Sequence, residues 1–200
     1  MKQLISKLHP GYLWFIFMGL VICLTFLFGD AGRESLEYHH SKIIAGELWR
    51  LITGHLVHSN LWHLILNLAS LTLIATLFGT LLNFKQWFFG FLFSGLFVSA
   101  CYIVISPQFE SYVGLSAVLY GAIIIGALLD LGKNIWIAVA LLVIVTGRVI
   151  WQQFDGASIE LAEMVGTRVA IESHLYGIIS GYLYGLTMCI KLHRQHRPDT

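Results

Sequence analysis

Ser116 and His174 are the residues of this 200-residue sequence whose types and positions most directly suggest chemistry. Ser116 opens an apolar run that follows the polar residues 106–112, and His174 lies in another apolar run near the C-terminus. A polar or ionisable side chain is costly inside a membrane-length apolar segment and by default indicates function. A serine with a histidine base is the minimum set for nucleophilic catalysis. The alternative is a serine that hydrogen-bonds back to its own helix.

A stripe of small residues predicts that these two runs pack together. Gly177 and Gly181 follow His174 at i+3 and i+7, which leaves one helical face nearly bare. Small residues at this spacing let membrane helices approach closely. The run that begins near Ser116 carries small residues of its own, namely Ala117, Gly121, Ala122 and Gly126. Packing of the two stripes would bring His174 close to Ser116.

The surroundings of the two candidates favour a Ser–His dyad. The N-terminus of the predicted helix at Ser116 offers unpaired backbone N–H groups that can stabilise an oxyanion. Gly114 allows close backbone approach, and Tyr120 shares the helical face of Ser116. Glu172 is two residues from His174 and points elsewhere, so no acid lies at helical spacing on the histidine's face. We therefore predict a dyad rather than a triad.

A third group of polar residues lies in an earlier apolar run. His63 and Asn67 are four residues apart, hence on one helical face, and both carry N–H groups suited to a developing oxyanion. A metal site at His55, His58 and His63 is the alternative. The run has no His-Glu-x-x-His pair and no carboxylate at ligand spacing, so we predict no metal site. The scattered cysteines predict small buried residues: Cys23, Cys101 and Cys189.

Composition identifies the class of protein. Hydrophobic residues make up 57% of the chain and charged residues 12%, against roughly a quarter in soluble domains, and the mean hydropathy is +0.76. A net charge of +1 gives no indication of nucleic-acid binding. We predict an all-α membrane protein with a single domain, 1–200, and six transmembrane helices. The predicted spans are 12–29, 60–82, 86–106, 113–131, 134–151 and 170–190.

Charge placement predicts the orientation. Seven Lys and Arg residues lie on the side of the termini and five on the opposite side, which places both termini in the cytoplasm. The seven are Lys2, Lys7, Lys85, Lys133, Lys191, Arg194 and Arg197. Ser116 would then lie shallow on the outer, periplasmic side of a bacterial inner membrane.

Taken together, these motifs resemble the rhomboid family of intramembrane serine proteases. Five features occur in the family's order, the last being six spans with cytoplasmic termini. The other four are Trp49-Arg50, His58-x4-His63-x3-Asn67, Gly114-x-Ser116 with Tyr120, and His174-x2-Gly177-x3-Gly181.

The resemblance implies a cofactor-independent protease that cuts transmembrane or membrane-proximal segments of membrane-anchored proteins. Ser116 would be the nucleophile and His174 the general base. The oxyanion site would comprise His63, Asn67 and the backbone N–H of Ser116. Tyr120 would stack on His174. Trp49 and Arg50 would brace the first loop.

One residue departs from the family pattern, and another feature suggests a subgroup. The family usually has glycine immediately after the serine, whereas this chain has Ala117, whose methyl group could tighten the helix contact or alter the substrate pocket. The short chain and the Thr53-Gly54-His55 motif resemble the bacterial rhombosortases, which are associated with C-terminal Gly-Gly anchor segments of exported proteins.

Two other functions compete with a protease. An inactive rhomboid relative that binds membrane clients would normally lack the serine or the histidine, and this chain has both. A small transporter would use His63, Asn67 and His174 as a polar relay. That function predicts inverted repeats or broken helices in matched halves, which the sequence does not show.

Overall fold

The computed structural model describes residues 9–195, which form a bundle of helices with a folded first loop. In chain order the elements are α1 (Pro10–Leu27), α2 (Gly29–Leu36), β1 (Tyr38–His39), α3 (His40–Ile44), α4 (Arg50–Thr53), α5 (Leu61–Phe78), α6 (Phe84–Val104), β2 (Ser111–Tyr112), α7 (Ser116–Asp130), α8 (Ile135–Asp155), α9 (Ile159–Val165) and α10 (Ile171–Gln195). Lys2, Lys7 and Arg197, which the charge argument used, lie outside the described residues.

The helices make this an integral membrane protein. In the described part of the chain, five helices are long and apolar enough to cross a bilayer, namely α1, α5, α6, α8 and α10. Helix α7 is apolar but has only 15 residues, or roughly 22 Å at 1.5 Å per residue. This length is less than the hydrocarbon core of a bilayer, which is about 30 Å thick. The helix is also shorter than the span predicted over 113–131.

Several predicted boundaries were wrong. The helix predicted over 60–82 ends at Phe78, because the chain turns there. The next helix, α6, is capped by Asn83, whose side chain accepts a hydrogen bond from the backbone N–H of Gln86. The spans over 134–151 and 170–190 continue to Asp155 and Gln195, since polar residues extend both helices. The span over 113–131 starts as a helix only at Ser116. The remaining ends differ from the predictions by two residues or fewer.

Helix α7 is the centre of the bundle and packs tightly against α10. A Cβ added to Gly177 would lie 2.1 Å from the carbonyl oxygen of Ala117, and one added to Gly181 would lie 2.5 Å from that of Gly121. Helix α7 also contacts α5, α6 and α8. Helix α1 covers the outside of α5 and α6 with buried side chains that include Trp14 and Ile22.

The first loop is fastened to the segment that precedes α7. Strands β1 and β2 pair antiparallel, with Tyr38 opposite Tyr112. Arg50 is buried and holds the loop from within. Its Nε donates to Glu47 over 2.6 Å, and its Nη1 donates to the carbonyl oxygens of Glu34 and Glu37 over 2.9 and 2.8 Å. This folded loop fixes the chain on which the site is built.

Candidate active site

Ser116 and His174 meet where α7 and α10 begin. The Oγ of Ser116 lies 3.1 Å from Nε2 of His174, which is within hydrogen-bond distance. Ser116 is the first residue of α7 and His174 is the fourth of α10, so both occupy a first helical turn. The close contact at Gly177, one turn beyond His174, holds the two helices at this separation.

The His174 ring is enclosed on two further sides. The Tyr120 ring lies against it at a centroid distance of 4.5 Å and an interplanar angle of 42°. On the other side, Nδ1 lies 3.2 Å from Oε1 of Gln152 on α8. The sequence does not predict a role for Gln152, because the fifth predicted span ends at residue 151. Glu172 pairs with Arg168 over 3.2 Å.

Gly114 and His63 are in direct contact, which explains why position 114 is glycine. Gly114 has a φ of +114°, and an added Cβ would lie 2.5 Å from Nε2 of His63. The backbone N–H of Gly114 donates to Gly54 of the first loop over 3.1 Å. Its carbonyl accepts from the hydroxyl of Tyr112. A side chain at 114 would therefore strain the backbone and displace His63.

Ser59 determines which nitrogen of His63 carries the proton. The Ser59 hydroxyl donates to the carbonyl of Val165, so its oxygen must accept at its 2.9 Å contact with Nδ1 of His63. The Nδ1 atom is therefore the protonated nitrogen in this arrangement. Asn67, one turn along α5, donates one amide hydrogen to the carbonyl of His63 over 2.9 Å. Its second amide hydrogen remains for another acceptor.

A cavity of about 600 Å³ connects these groups. Helix α5 lines it with Leu66 and Asn67, and α8 lines it with Ile144 and Val145. The predicted site residues that line it are Ser116, His174, His63, Asn67 and Tyr120. The structure thus brings together both candidates for catalysis and both predicted oxyanion donors.

The other predicted residues lie behind this cavity. His58 is buried, and its ring packs edge-on against His63 at 5.0 Å. Burial, assisted by the nearby His63, lowers the pKa of His58 to about 3, so its ring is neutral at ordinary pH. The Trp49 side chain is half exposed, and its indole N–H donates to the carbonyl of Ser35 over 3.3 Å. Ala117 is fully buried in a cluster that includes Tyr102 and Tyr176.

The Thr53-Gly54-His55 motif holds the first loop in place. Thr53 donates to the carbonyl of Leu36 over 2.6 Å. His55 lies between loop and helix, with Nε2 at 3.0 Å from the carbonyl of Gly95 and 3.1 Å from Oγ of Ser99. Residues 9–195 contain no group of three His, Cys, Asp or Glu side chains placed to hold a metal.

Comparison with known proteins gives the family. The Rhomboid domain model matches residues 45–191, most of the chain. The chain is also similar to a Bacillus subtilis (strain 168) protein named "Putative rhomboid protease YdcA", at 22% identity over 204 residues that cover 97% of this chain and 96% of that protein. Intramembrane proteolysis is the activity that this relationship supports. With the matched region containing the contact between Ser116 and His174, the chain belongs to the rhomboid family.

Proposed function

We propose that the protein is a serine endopeptidase that cleaves membrane-anchored proteins within or next to their transmembrane segments. The observation that carries this proposal is the 3.1 Å contact between Oγ of Ser116 and Nε2 of His174 at one end of the cavity. This distance lies within the hydrogen-bond reach that a serine nucleophile and its general base require. The proposed reaction uses only groups of this chain, the substrate and water.

In the acylation step, Ser116 attacks the carbonyl carbon of the scissile peptide bond. His174 accepts the hydroxyl proton at Nε2 as the new C–O bond forms, and the carbonyl oxygen takes the negative charge. His174 then gives the proton to the leaving amine as the C–N bond breaks, which leaves an acyl ester on Ser116. Water hydrolyses the ester by the same proton transfers, and this restores the free serine.

The charged oxygen needs N–H donors, and three groups of this site can supply them. The backbone N–H of Ser116 belongs to the first turn of α7, where N–H groups have no intrahelical acceptor. Asn67 has one free amide hydrogen. His63 would donate from Nε2 only after Ser59 turns its hydroxyl from Val165 towards Nδ1, because a neutral imidazole carries a single N–H.

The substrate is proposed to reach the site from the bilayer. The cavity lining includes apolar residues of α5 and α8, among them Leu66, Ile144 and Val145, which suit a substrate segment that leaves the lipid. Helix α8 has few buried residues, which makes it the least enclosed of the long apolar helices that line the cavity. In the proposed orientation, which the charge bias supports, both termini lie in the cytoplasm and the cavity lies on the periplasmic side of a bacterial inner membrane.

A narrower substrate class, C-terminal Gly-Gly anchor segments of exported proteins, forms a second level of the proposal. Its support is the Thr53-Gly54-His55 motif. The motif contacts Leu36, Gly95 and Ser99, so it acts in this structure by holding the first loop. A strain that lacks the gene should accumulate unprocessed Gly-Gly-anchored protein. Normal processing in that strain would contradict this substrate class and leave the general protease proposal intact.

The general proposal is tested with purified protein in liposomes and a reporter that carries one transmembrane segment. Wild-type protein should cleave the reporter, and Ser116→Ala and His174→Ala should each abolish cleavage while the folded protein is retained. Binding of the reporter without cleavage by the wild type would instead indicate an inactive relative. Ion or solute flux that depends on His174, with no cleavage, would indicate a transporter.

A further inference from the structure

We infer that Gln152 positions the catalytic histidine, so that the site works as a Ser116–His174–Gln152 chain rather than as an isolated pair; this rests on the proposed protease function. The Gln152 side chain lies on the opposite side of the His174 ring from Ser116. Its Oε1 is 3.2 Å from Nδ1, while Oγ of Ser116 is 3.1 Å from Nε2. The imidazole is therefore held at both of its nitrogens.

The burial of Gln152 indicates that this contact is a built feature. Only three residues of the 21-residue helix α8 are fully buried: Ala138, Val149 and Gln152. An amide withdrawn from water is destabilising unless it is hydrogen-bonded, and apolar residues are the ordinary choice at a buried position. Gln152 is 2% exposed and His174 is 5% exposed, so water does not replace either partner of this bond.

The consequence for chemistry is the choice of tautomer. When Oε1 of Gln152 accepts from Nδ1–H, the neutral imidazole has no hydrogen on Nε2 and can accept the Ser116 proton. The opposite tautomer would carry a hydrogen on Nε2 and could not act as a base towards the serine. Gln152 does not line the cavity and reaches the site through its contact with His174, so it is a positioning residue.

The neighbouring Gln153 supplies a matched control. Its Nε2 donates to the carbonyls of Val149 and Ile171 over 3.2 and 3.0 Å, which joins α8 to the start of α10. Gln153→Leu removes a structural amide at the same helix contact without touching the His174 ring. It should lower thermal stability and leave kcat within about twofold of wild type.

The test compares reporter cleavage by Gln152→Leu and Gln152→Glu. The leucine variant removes the acceptor and should lower kcat about tenfold, the size expected for one orienting hydrogen bond, with KM within about twofold. The glutamate variant keeps an acceptor and cannot donate, so it should retain kcat within about threefold. Wild-type kcat in folded Gln152→Leu, or equal losses in both variants, would overturn the inference.

A measurement on unmutated protein covers the case in which Gln152→Leu does not fold. ¹⁵N NMR of histidine-labelled protein, with the signals assigned by their loss in His174→Ala, should show His174 protonated at Nδ1 and bare at Nε2 at neutral pH. A hydrogen on Nε2 would overturn the inference. Absence of cleavage by wild-type protein would instead contradict the proposed function, which this tautomer measurement does not depend on.

Discussion

Substitution of Gly177 by alanine should separate the serine from the histidine without altering either one. The new Cβ would lie 2.1 Å from the carbonyl oxygen of Ala117, whereas an ordinary contact begins at 3.4 Å, so α10 must move away by about 1.3 Å. His174 lies one turn away on the same helix. If α10 moves as a rigid body, the 3.1 Å distance between Nε2 and Oγ of Ser116 grows to roughly 4 Å, beyond hydrogen-bond reach.

The expected loss of activity follows from this displacement. A misplacement of about 1 Å between reacting groups costs on the order of 100-fold in rate. Gly177→Ala should therefore lower kcat for reporter cleavage about 100-fold. Gly185→Ala should lower it much less, because the new Cβ would meet the Cδ1 end of the flexible Leu128 side chain at 2.8 Å, and the nearest backbone atom, Cα of Ile125, only at 3.3 Å.

Gly147→Ala on α8 is the matched control, since an added Cβ there has no atom within 4 Å. It should leave kcat unchanged and slightly raise stability, because alanine favours a helix over glycine. Each variant is assayed for cleavage in liposomes, with folding checked by thermal unfolding. Folded Gly177→Ala with wild-type kcat would refute the conclusion that this contact sets the Ser116–His174 distance.

Three further perturbations test the other parts of the account. Asn67→Ala should lower kcat about 10²- to 10³-fold in the cleavage assay, the effect of losing one oxyanion donor. Arg50→Met should lower the free energy of unfolding by about 2 kcal/mol, because it leaves two partly buried carbonyls of the first loop without their donor. Since burial lowers the pKa of His58 to about 3, this histidine should contribute about 2 kcal/mol to the fall in stability between pH 7 and pH 5, and His58→Gln should show a fall smaller by that amount in denaturation curves.

Each of these predictions has a control or a contrary outcome. Thr72→Ala, on an exposed face of α5, should leave kcat unchanged, and equal losses in Thr72→Ala and Asn67→Ala would remove the oxyanion role. Lys85→Met, at an exposed position, should not alter stability; an equally small effect of Arg50→Met would show that the loop does not need its guanidinium. The sign for His58 follows from a folded pKa below the unfolded value of 6.5. The His58 contribution is then present in full above pH 6.5 and is lost as the pH falls towards 3, so an unchanged pH dependence in His58→Gln would be the contrary result.

The sequence allowed much of the site to be predicted because polar side chains in apolar helices are conspicuous. Ser116, His174, His63 and Asn67 could be recognised by residue type and helical spacing, and the glycine stripe indicated which helices pack. Ala117 is buried in a cluster that includes Tyr176 of α10, and its effect on the helix contact or on the substrate pocket stays a prediction.

Contacts made by residues outside these polar and glycine positions could not be predicted from the sequence. The predicted fifth span ends at residue 151, so Gln152 falls just outside it; only the path of α8 against α10 shows that it is buried beside His174. Ser59 approaches Val165 across 106 residues of chain, and no local pattern encodes that contact. The short length of α7 was also missed, because apolar residues continue through the non-helical turn at Gly114.

The most direct test of the central claim is to locate the residue that a fluorophosphonate modifies. We predict that peptide mass spectrometry of labelled wild-type protein finds the phosphonyl group on Ser116, and that His174→Ala labels at least 100-fold more slowly, because the hydroxyl loses its proton acceptor. Modification of a different serine, or an unchanged labelling rate in His174→Ala, would contradict a Ser116 nucleophile activated by His174.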